Sequence, residues 1–515
     1  MPTLNWIGKD AVVNHDKEVP FRLLKKVKSS SVGDNSQNLI IHGDNLEALK
    51  ALMPFYTGKV KCIYIDPPYN TGNEGWIYND KVNSPKIKKW LGKVVGRDSE
   101  DLCRHDKWLC MMYPRLKLLR DLLSDDGSIF VSIDDNEHCN LKQVLDEIFR
   151  EENFVANIIW QKKYTQSNDA KYFSATHDFI VCYAKDKKNT DFNINLIART
   201  EEQDARYKNP DNDPRGPWMT QPLHAKSGTD TGYEFTFENG VKWRPPAGTF
   251  PRYSVQTLKG ADKEGTIWFG KKGDAVPRLK KYLNEMKQGV IPKTIWLYDE
   301  VGSNDEAKKD YKNIFPENGF ATPKPVRLLK RIIQLSSNSN DLILDSFAGS
   351  GTTGHAVLDL NKKDGGNRKF ILVEMEDDVA KNITAERVKR ASEKYGYKDG
   401  FEYCELSKPL FDEEGQIEDT CDFEQFATYI YFTETQTNID PAKVSANYIG
   451  EYAEIEYYLI YKEKGENVLS KSFLKKLKKN DSKKVVYADK CLLDETTLDK
   501  YNVVFKQIPY EVKIY

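Results

Sequence analysis

No stretch of this sequence is long and apolar enough to cross a bilayer, and residues 1–32 contain no apolar signal core. A soluble, cytoplasmic protein with no membrane contact is the expectation. Excess charge of either sign is also missing: 77 Lys and Arg offset 78 Asp and Glu, leaving a formal net charge of −1. That balance excludes a polycation, so any nucleic-acid surface has to be local. The cysteines make no framework. All 8, at positions 62, 103, 110, 139, 182, 404, 421 and 491, lack a Cys-x-x-Cys partner, and none of the 7 His adds metal-ligand spacing. Disulfide and zinc scaffolds are thereby excluded, and no metal site is expected. Internal repeats and long low-complexity tracts are absent as well.

What is there begins with alternation. Short β-type runs at 38–42, 60–65, 128–133, 155–160 and 179–184 are set among helical spacings over 45–53, 108–123 and 141–149. Such alternation predicts an α/β fold, a largely parallel sheet with helices on both faces. Residues 1–37 read as a polar leader and 38–186 as a first α/β stretch. From 187 to 320, Pro, Gly, Asn and Asp punctuation predicts a separate, irregular, partly β insert. Regular periodicity resumes over 321–400, and 401–515 holds the short elements of a small C-terminal α+β domain.

Charge is uneven across these segments. Residues 241–293 carry 12 basic against 4 acidic residues, with Trp243, Tyr253, Trp268 and Phe269 interleaved, whereas 401–460 carry 14 acids against 2 basic residues. The first suits phosphate contact and insertion of flat side chains, against the alternative of a solvated charged face. The second suits packing on another protein, against that of an ordinary capping domain. Gly265 to Lys272 nearly spells a phosphate-binding loop, but Lys272 stands where Ser or Thr must reach magnesium, so no ATP site is read there.

Two local patterns carry chemistry. Cys62-Ile63-Tyr64-Ile65-Asp66-Pro67-Pro68-Tyr69-Asn70 is a buried-type strand that stops at an acid, on the sheet edge where open α/β folds bind ligands. Two prolines fix the chain extended, so Asp66 and the Pro67 carbonyl can form a rigid acceptor pair suited to an exocyclic amino group. Pro68 continues that rigid turn, and Tyr69 offers a flat face for a base. A purely structural turn is the alternative. The second pattern, Asp345-Ser346-Phe347-Ala348-Gly349-Ser350-Gly351-Thr352-Thr353-Gly354, joins a strand to a helix through a glycine-rich turn; a further strand ends in Glu374, 20 residues after Gly354. Alone it also fits a dinucleotide fingerprint, so a nicotinamide oxidoreductase stays open on this pattern. Asp44 is either a ligand acceptor or the N-cap of the helix that follows it.

Together, Asp-Pro-Pro-Tyr at 66–69 and Asp-x-Phe-x-Gly-x-Gly at 345–351, about 280 residues later, resemble the β-class adenine-N6 DNA methyltransferases. The chain is most similar to modification subunits of type III restriction-modification systems and their stand-alone relatives, through residues 43–49, 66–72 and 127–135. The resemblance implies a Rossmann-like S-adenosylmethionine-dependent methyltransferase fold in permuted order. The catalytic domain is then split between 38–186 and 321–400, with target recognition at 187–320 and a dimer or partner interface at 401–515. S-adenosylmethionine is the implied cofactor, held by Asp44 at its adenine, Glu374 at its ribose, and Thr322, Lys324, Asp345, Phe347, Gly349, Gly351 and Thr352. Asp66, Pro67, Pro68 and Tyr69 are the implied catalytic set for methylating N6 of a flipped-out adenine. Arg215, Trp218, Lys242, Arg244, Lys271 and Lys272 are the candidate contacts to double-stranded DNA. A homodimer and a separate restriction subunit are the expected assemblies. An orphan enzyme, cytosine-N4 transfer and a catalytically silent DNA-binding module remain as alternatives.

Overall fold

The computed structural model describes residues 3–33, 36–71, 103–168, 170–228, 232–286, 289–317, 320–411, 417–418, 421–462, 467–478 and 480–508; Gly72 and Lys287, each part of a pattern above, lie outside them. The larger of two compact units, Met1–Asn195 with Lys293–Tyr515, is organised by a ten-stranded sheet. Its strands are β1 (Arg22–Lys26), β2 (Leu39–His42), β3 (Val60–Ile65), β4 (Leu123–Ile133), β5 (Phe154–Gln161), β6 (His177–Ala184), β7 (Ile295–Trp296), β8 (Leu342–Asp345), β9 (Lys369–Glu374) and β10 (Glu402–Pro409). The spatial order is β1-β10-β2-β9-β8-β3-β4-β6-β5-β7. From β10 to β4 all neighbours are parallel, and β6 runs against both β4 and β5. The helices that matter for the site are α1 (Asn45–Tyr56), α2 (Arg104–Leu122), α3 (His138–Phe149), α4 (Val326–Ser336) and α5 (Thr352–Asp364).

Strand β3 accounts for where the core sits. Ile63 and Ile65 join the cluster built by Leu46 and Leu49 of α1, Leu116 and Leu119 of α2, and Leu141 and Leu145 of α3. Side-chain alternation turns Cys62 to the other face, where its thiol meets Ser336 of α4. A strand covered on both faces needs an unbroken apolar run, which is what the sequence shows at 60–65. Cys62 is fully buried, and burial pushes its thiol up to about 12, the state of an inert core residue.

The segment boundaries differ from the sequence reading at three places. The described residues of the segment expected as a leader are built into the fold: Trp6, Val12 and Val19 lie in the main core, and β1 pairs with β10. Their apolar residues are too widely spaced to display a period. Position 401 does not open a separate domain, because β10 sits between β1 and β2 in the main sheet. Beyond it a four-stranded sheet is covered on both faces, with Tyr457, Val485 and Tyr487 in one cluster and Tyr458, Val486 and Ala488 in another. The insert forms a second compact unit at Leu196–Pro292, narrower than 187–320, since β7 and the helices Tyr298–Val301 and Asn304–Ile314 belong to the first. This unit is irregular as expected, with a three-stranded antiparallel sheet (Trp218–Pro222, Ile267–Trp268, Arg278–Tyr282) and one helix of nine residues, Val255–Lys263. Among the described residues no helix is long and apolar enough to cross a membrane, and no group of His, Cys, Asp and Glu is placed to hold a metal ion.

Candidate active site

Strands β3 and β8, far apart in sequence, are neighbours in the sheet: Cys62 and Ile63 pair with Ile343 and Leu344. Asp66 and Asp345 therefore emerge together at the C-terminal edge, at the point where the strand order reverses and open α/β sheets bind ligands.

The turn after β8 is held from several sides. One oxygen of Asp345 accepts from the Phe347 N–H at 3.0 Å and the other from the Thr353 hydroxyl at 2.5 Å. Burial pushes the Asp345 carboxyl up to about 7. Glu374, at the end of β9, accepts the Gly349 N–H at 2.9 Å and the Glu376 N–H at 3.0 Å, and burial pushes it also up to about 7. Arg387 donates to the hydroxyls of Ser350 and Thr352 at 2.7 and 2.6 Å. Gly351 is the left-handed N-cap residue of α5, φ +74°, and an added Cβ would lie 2.9 Å from the Thr384 carbonyl oxygen. At Gly349, φ +50°, an added Cβ would sit in ordinary contact, 3.6 Å from the Phe320 ring and 3.9 Å from the Phe347 carbonyl oxygen.

The loop after β3 is equally fixed. Trp108 donates to the Pro68 carbonyl at 2.7 Å, and Asn70 donates to Glu137 and to the Arg104 carbonyl. Pro67 is buried and Tyr69 nearly so. Burial, followed by the charge of Asp66, raises the Tyr69 phenol well above its ordinary range. Lys324 places its ammonium 2.7 and 2.6 Å from the two oxygens of Asp66.

A cleft of about 920 Å³, its open mouth included, joins these groups: its walls include Asn45, Asp66, Pro68, Arg115, Phe320, Thr322, Lys324, Asp345, Phe347, Gly349, Thr352 and Glu374. Asp44 is not among them. Its carboxylate accepts from the N–H groups of Leu46 and Glu47 at 2.9 and 3.3 Å and faces Arg115 at 3.3 Å, so the N-cap reading has the geometry. The adjacent Asn45 lines the cleft instead, donating to the Ser346 carbonyl at 3.2 Å and accepting from Arg115 at 2.5 Å. Sequence reasoning missed both residues. Arg115, only 2% exposed, was visible as a lone charge on an otherwise apolar helix face.

The candidate DNA contacts divide. Lys242, Arg244, Lys271 and Lys272 are exposed. Arg215 is tied to Asp213 at 2.8 and 2.9 Å and donates to the Glu264 carbonyl, and Trp218, 4% exposed, donates to Asp211 at 2.9 Å. Both hold the second unit together, as does Lys280, which is buried between Asp211 and Asp213 at 2.5 and 2.7 Å. Three of the four interleaved aromatics serve a core, Trp243 as a buried member with Tyr253 and Phe269 packed on the same cluster, and Trp268 lies against Trp218 with ring centres 5.0 Å apart. In a unit this small the few large rings are needed for the core.

Parallel strands flanking the reversal, the antiparallel β6 beside β5, a glycine turn after β8 and an acid after β3 define an α/β methyltransferase in permuted order. The chain belongs to the N6/N4 DNA methylase family, whose model, described as DNA methylase, matches residues 60–386. It is 37% identical over 400 residues to the type III restriction-modification enzyme StyLTI Mod subunit of Salmonella typhimurium, covering 75% of this chain and 60% of that one. Identity to the EcoP15I Mod subunit of Escherichia coli is 32% over 457 residues, covering 76% and 69% of the two chains. The type II methyltransferase M.KpnI of Klebsiella pneumoniae is 30% identical over 377 residues, covering 70% and 86%. The chain thus spans between about 60 and 70% of the length of the two Mod subunits.

Proposed function

We propose that this protein transfers a methyl group from S-adenosylmethionine to N6 of an extrahelical adenine in duplex DNA, as the modification subunit of a restriction-modification system. The observation that carries the reading is the shared cleft: Asp66 with its rigid proline loop and the Asp345–Gly351 turn with Glu374 open into one space. The residues fit S-adenosylmethionine. Glu374 is a carboxylate at the end of the strand after the glycine turn, suited to ribose hydroxyls, and Gly349, which lines the cleft without a side chain, lets a ligand approach the backbone closely.

When bound, S-adenosylmethionine supplies an electrophilic sulfonium methyl. Asp66 and the Pro67 carbonyl accept the two N–H groups of the target amine, which turns the nitrogen lone pair toward that methyl. Tyr69 supports the flipped base by stacking. Positioning and electrostatics then carry the catalysis, and the proton released from N6 passes to water or Asp66. Lys242, Arg244, Lys271 and Lys272 neutralise DNA phosphate. The protein acts with a separate restriction subunit, a reading supported by the Mod subunit names of its relatives, and as a homodimer, which is part of the proposal. The test is to incubate the purified chain with labelled S-adenosylmethionine and duplex DNA and to digest the product to nucleosides. N6-methyladenine supports the proposal; N4-methylcytosine moves it to the cytosine alternative; no labelled nucleoside refutes it.

A further inference from the structure

Lys324 lies between two prolines in Thr322-Pro323-Lys324-Pro325, and Pro325 is the N-cap residue of α4. Pro325 disfavours the helical region for the residue before it, so the backbone at Lys324 is biased to extended conformations. Its ammonium touches both oxygens of Asp66 at 2.7 and 2.6 Å and lies 5.0 Å from the ring centre of Tyr69 and 6.0 Å from that of Trp160. Lys324 is 9% exposed. A lysine buried to this degree is held by its counter-charge, and here that charge is the acid that receives the substrate. The neighbouring acid Asp178 has its own partner, Lys162, at 2.5 Å.

We propose that Lys324 is a positioning residue for methyl transfer, which fixes the rotamer of Asp66 by holding both of its carboxylate oxygens, in place of the cofactor-binding role its motif suggested. The inference rests on the amino-methyltransferase reading above. An ionised carboxylate offers roughly four lone-pair sites. Lys324 occupies one on each oxygen, so sites remain for an N–H of the target amine. An Asp66 held in this way presents one acceptor geometry before substrate arrives, and no reorganisation is needed during the reaction. The same ammonium over the Tyr69 ring ties the base-stacking residue to the acceptor, so the two move as one unit.

Lys324→Met keeps the length and removes the charge, whereas Lys324→Arg keeps the charge. Each full-length variant is compared with wild type for S-adenosylmethionine affinity by calorimetry, for kcat on duplex DNA at saturating cofactor, and for thermal midpoint. The expected result is a kcat lower by roughly ten- to a hundredfold in Lys324→Met, the scale of one charged hydrogen bond, with cofactor Kd within about threefold of wild type. Lys324→Arg, expected to fold even if the Met variant does not, recovers most of the loss. Unchanged kcat in Lys324→Met overturns the proposal, as does activity lost through cofactor affinity in either variant, or a folded Arg variant that has lost kcat as fully as the Met variant. Wild-type protein that transfers no methyl group refutes the proposed function itself, and this is seen before any variant is compared.

Discussion

Burial governs the acids around the cleft, and Asp345 is the clearest case. Its carboxyl rises from 3.8 to about 7 because ionisation has to occur away from water. Below pH about 3.8 the group is neutral in both folded and unfolded chains, and its contribution to stability is complete; as pH rises through about 7 that contribution is lost. Asp345→Asn is expected to be more stable than wild type at pH 8, by up to about 4 kcal/mol, with the gain shrinking steadily toward pH 4. Asn can still accept from Phe347 and donate to the Thr353 hydroxyl. Denaturant unfolding across that pH range checks the prediction, and a gain independent of pH contradicts it. At Asp66 the two obvious variants should part. Asp66→Ala leaves the Lys324 ammonium buried without its partner and should lower the melting midpoint as well as methyl transfer, whereas Asp66→Asn keeps a hydrogen-bond acceptor but not the counter-charge and should lower the midpoint less. In both, calorimetry should find cofactor affinity retained.

At the scale of elements, the two glycines of the turn have different duties. Gly351→Ala combines a left-handed backbone with a Cβ 2.9 Å from the Thr384 carbonyl, so it should destabilise the fold by roughly 2–3 kcal/mol. Gly349→Ala adds a Cβ at ordinary contact distance from Phe320 and should destabilise by about 1 kcal/mol, yet weaken cofactor binding because it borders the cleft. Melting curves with and without S-adenosylmethionine separate the two; equal effects on fold and binding at both positions contradict the assignment. Strand β3 and the β8-turn-α5 unit were legible in sequence because central strands are apolar throughout and a positive-φ turn demands glycine. The pairing of Lys324 with Asp66 was not, since no local pattern links residues 258 apart. Nor was the place of β1 and β10, whose partial burial leaves no unbroken apolar run. Aromatics among lysines gave a misleading signal, because the same residues serve a small core or a DNA surface and only packing tells them apart.

For the molecule as a whole, a net charge of −1 leaves DNA affinity to local groups. Reversing Lys242, Arg244, Lys271 and Lys272 to Glu should weaken DNA binding and flatten its salt dependence while S-adenosylmethionine affinity stays unchanged. Binding titrations at two salt concentrations decide it; an unaltered salt slope removes these residues from the interface. Truncation at residue 400 should fail to give a folded protein, because it deletes β10 from between β1 and β2 and takes Phe432 from the main core. Light scattering of the full chain tests the dimer. The central claim is that one cleft joins an amine-accepting loop to a cofactor-binding turn, and single-turnover transfer of labelled methyl to duplex DNA tests it most directly. The account predicts N6-methyladenine from wild type and at least a hundredfold slower transfer from Asp66→Ala at saturating cofactor. Equal rates in the two proteins would contradict it.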